Sequence, residues 1–573
     1  MKKARRLFWL LAALPVAGWV VLGVQPAALL QRLGPDHVGV VNGWVSAGLQ
    51  LAYGEPARPA PLPGALVTVS LAQAAPLRTL DARFLSVAID TSQWLGGRWW
   101  SASGRVEVGR GTEPVAPLDL GQPALRELAR ALAPAYLRIG GTEADRVRYA
   151  FGGAAPERAQ AENELTLDPA RWDALSEFSA AAGLDLFFTI NAGPSARGSE
   201  GQWLRSSAEG LFAHAREHGQ SVSVWELGNE VNAYWFQHGL HEQPSGAQYA
   251  ADLFAFRALV RQYSPAARVA GPAVAYFPLL GDPLPERLGF LPSALEQGGR
   301  ALDILSWHFY PQQSRRCPVA TRRAQPGQLL GPSELDELGR WSQQLEELRA
   351  RWAPQAELWL GETGSAQCGG EPGLSDRFAS GLWWLDELGS AARDGQAVVI
   401  RQALVGSDYG LVDAHTFEPR PDYYNSLAWK RWMGPRVLGL ERSQGNPALR
   451  LYAHCSAHEA GSAVLLALNV DPQHPAAFQL QGRVERMRRF DFSAPALDSS
   501  ELFVNGQRLG LTRTDSGVAL PELEGSSVLN PADPLVLPAA SYGFFELSGP
   551  AAAPCHSSEP APTSDESRPS APG

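Results

Sequence analysis

Two glutamates close apolar runs in this 573-residue chain. VWELGNE (224–230) turns polar at Asn229 and Glu230, and LWLGETG (358–364) turns polar at Glu362. Hydrolysis of a glycosidic bond needs a proton donor and a second carboxylate that attacks the anomeric carbon or activates water. Other runs end in the same way. ILSWHFYP (304–311) carries His308 and Tyr310, VVIRQALVG (398–406) carries Arg401 and Gln402, and YLRIGGTEAD (136–145) carries Arg138, Thr142 and Asp145. Asn229, beside Glu230, suits a hydrogen bond to a sugar hydroxyl near the reacting carbon. Tyr310 and Arg401 are two candidates for holding Glu362 ionised, as a nucleophile requires. Arg138 reads as a buried ion-pair partner, and His308 on its own as a packed strand-end histidine. Each dipeptide is weak alone. The order NE, WHFY, GET along successive strand ends is what points to a hydrolase.

These residues need a frame that gathers strand ends at one mouth. Apolar runs at 135–141, 186–193, 224–230, 267–273, 304–311, 358–364 and 398–406 alternate with amphipathic stretches such as Asp336 to Trp352. That alternation predicts a parallel sheet buried on both faces. Seven or eight such units fit a (β/α)8 barrel, whose active site lies at the C-terminal ends of its strands. A doubly wound sheet is the alternative, but no glycine-rich phosphate loop follows the first strand. After Pro435 the pattern becomes short alternating strands with turn residues, predicting an antiparallel β-sandwich. ALVTVSLA (65–72) is strand-like and is expected to join that sandwich. The predicted boundaries are a strand over 65–80, the barrel over 81–435 and the sandwich over 436–556. A linker over 29–64 and a disordered tail over 557–573 flank them.

The net charge of −10 argues against nucleic acid as a partner. Charged residues make up 19% of the chain and hydrophobic ones 45%, which excludes wholesale disorder. The four cysteines, Cys317, Cys368, Cys455 and Cys555, form no CxxC, so neither a zinc site nor a redox motif is indicated, and no metal or cofactor is expected. Two well-separated pairs in an exported protein read as two disulfides, with three connectivities open. Lys2, Lys3, Arg5 and Arg6 precede an uncharged run from Leu7 to Val24. Residues 1–28 therefore read as a signal anchor, or as a cleaved signal peptide. Either places the body outside the cytoplasm, and an uncleaved anchor would add the membrane as a partner.

The stretches FLSVAID (84–90), LAPAYLRIGGTEAD (132–145), SVWELGNEVN (223–232), SWHFYP (306–311), LWLGETGSAQCGGEPGLSDRFASGLWWLDELG (358–389), VVIRQALVGSDYGLVD (398–413) and PDYYNSLAWKRW (421–432) resemble the heparanase and β-glucuronidase family, glycoside hydrolase family 79. The resemblance covers Leu66 to Cys555. It implies that Glu230 is the acid/base and Glu362 the nucleophile of a retaining enzyme, on the fourth and seventh barrel strands. It also implies that Asp90, Thr142, Asn229, Gln402, Tyr409 and the backbone near Gly369 and Gly370 line the glucuronate site, with Tyr310 supporting Glu362; His308 is a further candidate for substrate contact. It pairs Cys455 with Cys555. Cys317 and Cys368 both follow active-site strands and are left to brace the rim together.

Two departures bear on substrate. Animal heparanases carry a long excised segment where this chain has only a short stretch from Phe151 to Leu165, so a single uncut chain is expected to be active. The basic cluster after the GP motif is missing from GPAVAYFPLLGDPLPER (271–287). Basic residues occur instead in QQSRRCPVATRR (312–323), where Arg315, Arg316, Arg322 and Arg323 are candidate ligands for sulfates or carboxylates of an acidic saccharide. Endo- and exo-cleavage both remain open. The competing functions are a noncatalytic carbohydrate-binding protein of the same fold and a neighbouring-family glycosidase acting on arabinosides or xylosides.

Overall fold

The computed structural model describes residues 65–72, 76–100, 112–152, 164–276, 289–317, 322–443, 445–514, 517–529 and 534–556. The N-terminal apolar segment, the linker and the C-terminal tail lie outside these residues.

Eight parallel strands close a barrel: β1 (Leu85–Asp90), β2 (Ala135–Gly140), β3 (Leu184–Ile190), β4 (Val224–Leu227), β5 (Arg268–Ala275), β6 (Ile304–Phe309), β7 (Glu357–Thr363) and β8 (Val398–Arg401). β8 closes onto β1 with Val399 opposite Leu85. Nearly every strand residue is buried, because the lumen is filled from inside and helices cover the outside. Ala88, Tyr136, Phe187, Val224, Ala270, Ile304, Trp359, Val398 and Ile400 pack the lumen. The mixture of small and large side chains across neighbouring strands lets the layers interlock. The covering helices bury one stripe each. In the helix Glu337–Trp352, Leu338, Trp341 and Leu345 face inward, at the 3- and 4-residue spacing of one helix face.

The C-terminal region is a sandwich of two sheets. The larger runs from strand Arg78–Thr79 through Met433–Leu438, Leu449–Ser456, Ala463–Asn469, Ser541–Ser548 and Arg486–Ser493 to the short strands Phe503–Val504 and Gln507–Arg508. The smaller contains Leu440–Arg442, Leu66–Leu71, Ala476–Leu480 and Leu535–Leu537. Leu66–Leu71 thus joins the sandwich from before the barrel. It runs antiparallel to Leu440–Arg442 but parallel to Ala476–Leu480, so the sandwich is not purely antiparallel. A strand arriving from the far end of the chain has no hairpin to dictate its direction.

Cys455–Cys555 ties this region together and Cys317–Cys368 ties two barrel loops. Barrel and sandwich meet on aromatics. Trp432, ending the helix Pro421–Trp432, packs 4.0 Å from Phe490 and 5.0 Å from Phe544 between ring centroids. Such pairs add about 0.5–1.5 kcal/mol each beyond simple burial.

Candidate active site

The barrel order places β4, with Glu230 just beyond it, three strands from β7, which carries Glu362. β4 stops at Leu227, Gly228 turns with φ +77°, and Glu230 adopts φ +51°. A left-handed conformation costs a non-glycine residue about 1–3 kcal/mol and persists only where its surroundings hold it. Here the Glu230 N–H donates to the Ala273 carbonyl at 2.8 Å, and its own carbonyl accepts from the Ala233 N–H at 2.7 Å. The turn throws the carboxylate over the mouth. Both glutamates are 7% exposed, enough to be reached and too little to be screened by water.

One oxygen of Glu230, one of Glu362 and a ring nitrogen of His308 all lie within 4.8 Å of one another. His308 Nδ1 is 3.4 Å from Glu230 and 3.9 Å from Glu362. It therefore bridges the pair instead of merely packing at a strand end.

Glu362 is the more elaborately held. Tyr310 donates its hydroxyl to Oε1 at 2.7 Å and Arg138 donates to Oε2 at 2.9 Å. Burial opposes its ionisation, but the charges of His308 and Arg138 and the hydrogen bonds from Tyr310 and Arg138 outweigh it. They hold the carboxyl below the usual glutamate range. Arg138 is itself fully buried and pairs with Glu226 at 2.9 Å and with the Asn229 side-chain oxygen at 2.8 Å. The residue read as a structural ion-pair partner is thus also the cation beside Glu362. Arg401 is not. It donates to Asp422 at 2.7 Å and to the Gln402 carbonyl at 2.8 Å, and stacks on Trp383 and Trp384. Its side chain leaves the mouth because Asp422, on an outer helix, supplies the buried countercharge.

Glu230 has milder company. Besides His308, the Gln237 amide donates to its Oε2 at 2.8 Å.

Across the mouth from β4 stand β8 and β1. Asp90 accepts from the Ser92 N–H at 2.9 Å and hydroxyl at 2.7 Å, and from Gln402 Nε2 at 3.1 Å. Burial foremost, with the charge of Glu362 adding, pushes its carboxyl up to about 7. Tyr409 stacks on Tyr310 at 6.4 Å and its hydroxyl interacts with the Gln402 side chain. Gly369 and Gly370 both have φ +83°, and a methyl group on either would meet Trp100, Ser407, Ser375 or the Tyr409 backbone at 2.3–3.0 Å. The Gly369 carbonyl accepts from the Asp408 and Tyr409 N–H groups, and no hydrogen bond from the N–H of Gly369 or Gly370 is present among the described residues. Thr142 begins the turn Thr142–Arg146 directly after β2, half-buried at the same rim. The candidate residues therefore converge on one mouth.

The profile of glycosyl hydrolase family 79, N-terminal domain, matches residues 98–389. Heparanase from Mus musculus is 32% identical over 563 aligned residues, covering 88% of this chain and 97% of the relative. The chain belongs to glycoside hydrolase family 79. The human relative called inactive heparanase-2 is 26% identical and covers 86% of this chain. Among solved structures, a 4-O-α-L-rhamnosyl-β-D-glucuronidase from Fusarium oxysporum 12S superposes with a TM-score of 0.56 at 16% identity, covering 84% of this chain and 99% of that one. An arabinofuranosidase from Xanthomonas axonopodis pv. citri gives the same score and identity, covering 84% and 100%. These likenesses show a shared fold.

Within this family 79 chain, three of the four arginines in the 312–323 loop are ion-paired inside the protein. Arg315 pairs with Glu371, Arg316 with Asp408 and the Gly370 carbonyl, and Arg322 with Glu337. Among the described residues, only Arg323 of the four has no ion pair. Arg315 and Arg316 thereby brace the loop that carries Gly369 and Gly370, while Arg322 is tied to the helix Glu337–Trp352. The Cys317–Cys368 bridge ties the same two loops.

Three features had no sequence signal. Gln237 lies seven residues beyond Glu230 with no motif around it. The pairing of Arg138 depends on strands separated by 88 and 224 residues. A two-stranded hairpin, Gly97–Trp100 with Thr112–Val115, follows β1. The Trp-Trp pair at 99–100 is the one hint that could have raised it.

Proposed function

We propose that the chain is a retaining glycoside hydrolase that cleaves β-linked glucuronic acid from acidic saccharides. The closeness of the Glu230 and Glu362 carboxylates, within 4.8 Å at their nearer oxygens, carries this reading. A nucleophilic mechanism wants carboxyl groups roughly 5–5.5 Å apart, whereas an inverting one leaves roughly 6.5–9.5 Å for a water. Ionised Glu362 attacks the anomeric carbon. As the bond breaks, protonated Glu230 gives its proton to the leaving oxygen, and a glycosyl ester forms on Glu362. Glu230, now a carboxylate, takes a proton from water; that water attacks the same carbon, frees Glu362 and restores the β configuration. Tyr310 and Arg138 keep the nucleophile ionised between turnovers.

For the substrate, Asp90, Thr142, Asn229 and Gln402 are proposed to hold sugar hydroxyls. The N–H groups of Gly369 and Gly370, with Tyr409, are proposed to hold the glucuronate carboxylate. Neutral donors suit a pocket that already contains three acids, Asp90, Glu230 and Glu362, because they bind an anion without neutralising its neighbours. The two disulfides fit an oxidising compartment outside the cytoplasm.

A panel of nitrophenyl glycosides tests the reading. The β-glucuronide should be cleaved well ahead of the β-glucoside, the α-arabinofuranoside and the β-xyloside, and NMR of the first product should show the β anomer. Preference for the arabinofuranoside would move the chain to a neighbouring specificity. No turnover of any glycoside would favour the binding-protein alternative, which the inactive human relative makes worth testing. An inverted first product would overturn the nucleophilic role of Glu362.

A further inference from the structure

The glycone side of the mouth is walled, and the wall is built from the hairpin that follows β1. The hairpin begins at Gly97, close after Asp90, and pairs Gly97 with Val115, Arg98 with Pro114, Trp99 with Glu113 and Trp100 with Thr112. Trp99 is buried and packs edge-on against Tyr409 at 6.3 Å. Trp99, Tyr310, Ala403 and Tyr409 form one apolar cluster, with Trp100 and Val115 packed against it. Trp100 presses so closely on Gly369 that a methyl group there would lie 2.3 Å from its Cβ. One hairpin thus links the loops after β1, β7 and β8 into a continuous barrier.

Its position decides what it can exclude. The acid that protonates a leaving oxygen stands on the aglycone side of the scissile bond. In the barrel order β4 and β8 are diametrically opposed, so the sugar attacked by Glu362 extends away from Glu230 toward β8 and β1. Asp90, Gln402 and Tyr409 stand on that side, and Trp99 and Trp100 stand behind them. A further sugar on the non-reducing side of the bound glucuronate would have to occupy the ground the two tryptophans hold.

We propose that the Trp99–Trp100 hairpin makes this an exo-acting enzyme, one that removes only a terminal, unsubstituted β-glucuronic acid. The proposal rests on the glucuronidase reading and extends it from bond type to position along the chain. Aromatic packing suits the task, since burying Trp99 against Tyr409 fixes a wall that a charged, solvated loop would leave adaptable.

Two substrates separate the possibilities: nitrophenyl β-glucuronide, and the same compound carrying one more sugar on the O4 of its glucuronate. The wild-type chain should prefer the uncapped compound by at least about 100-fold in kcat/KM, because a clash is not relieved by weak contacts elsewhere. Replacing 98–114 with a short glycine–serine link should cut that preference to about tenfold or less while the uncapped compound is still cleaved. Trp100→Ala, which leaves Trp99 in its cluster, provides a milder second variant and should move the ratio in the same direction. Comparable cleavage of both compounds by the wild-type chain overturns the proposal and leaves the glucuronidase reading intact. So does a preference that survives in both folded variants. Failure to cleave either compound overturns the glucuronidase reading itself, and the wall proposal with it.

Discussion

Glu230 and Glu362 match in residue type and exposure and share one mouth, yet they are held in different ways. Glu362 receives a guanidinium, a phenol and an imidazole. Glu230 receives a neutral amide and the same imidazole at 3.4 Å. A nucleophile must stay ionised, and a fixed cation with a short hydrogen bond does that. An acid/base must change state twice in each cycle, and a cation bonded to it would lock it in one state. Under the proposed mechanism, the neighbours of two identical side chains would suit one to attack and the other to exchange protons.

Removing each carboxylate is the largest way to sharpen that comparison. Glu362→Gln should abolish turnover on every leaving group, since no ester can form. Glu230→Gln should cost about 10²–10⁴-fold on poor leaving groups, the usual worth of general acid catalysis, and far less on nitrophenol, which departs unassisted. A leaving-group series measured on both variants checks this. Parallel losses across the series would erase the distinction.

Tyr310→Phe comes next. It removes a 2.7 Å hydrogen bond to a charged carboxylate, worth about 1.5–3 kcal/mol, or roughly 13- to 160-fold in kcat/KM. That bond favours the ionised form, so losing it raises the Glu362 carboxyl toward the ordinary range. The acid limb of the pH profile should therefore move to higher pH. An unmoved limb would mean that Arg138 and His308 hold the charge without the phenol.

Asp90 offers a stability counterpart on the nucleophile side. Burial pushes its carboxyl up to about 7 in the folded chain, against about 4 in an unfolded one. Between those values the folded state holds a proton that the unfolded state has lost, so Asp90 lowers stability as pH rises through that window. Asp90→Asn should flatten this fall, raising the melting temperature more at pH 7.5 than at pH 4, while weakening glucuronide binding. An equal shift at both pH values would mean that the gain comes from packing alone.

The frame was legible because parallel-barrel strands advertise themselves as apolar runs with polar ends, and NE, WHFY and GET fall at those ends. Both glutamates and Tyr310 could be found that way. Partner choice could not. Arg401 and Arg138 both stand on barrel strands, and only the fold shows that Asp422 draws one outward while Glu226 and Glu362 draw the other in. The arginine-rich loop is similar: Glu371 and Asp408 lie 56 and 92 residues from the guanidinium groups they neutralise. The hairpin after β1 escaped because a tryptophan in a chain with 18 of them reads first as core.

The smallest effect, and the closest test of the asymmetry, lies at Gln237. Its amide donates to Glu230 from the short helix Tyr234–Gln237, and its other polar atom, Oε1, is buried without a hydrogen bond. An amide can present either end to a carboxyl group: Nε2 to the charged form, or Oε1 to the protonated form after a half-turn. It can therefore accompany Glu230 through both states, as a guanidinium could not. Gln237→Leu should cost about 0.5–1.5 kcal/mol, roughly 2- to 13-fold in kcat, for the loss of a modest hydrogen bond. Because the bond acts through the acid/base, the loss should grow as the leaving group worsens and nearly vanish in the Glu230→Gln background. Gln237→Glu, which can still accept from protonated Glu230 but repels its charged form, should do worse than Leu. A uniform loss across leaving groups, or full additivity with Glu230→Gln, would show that Gln237 only packs the rim.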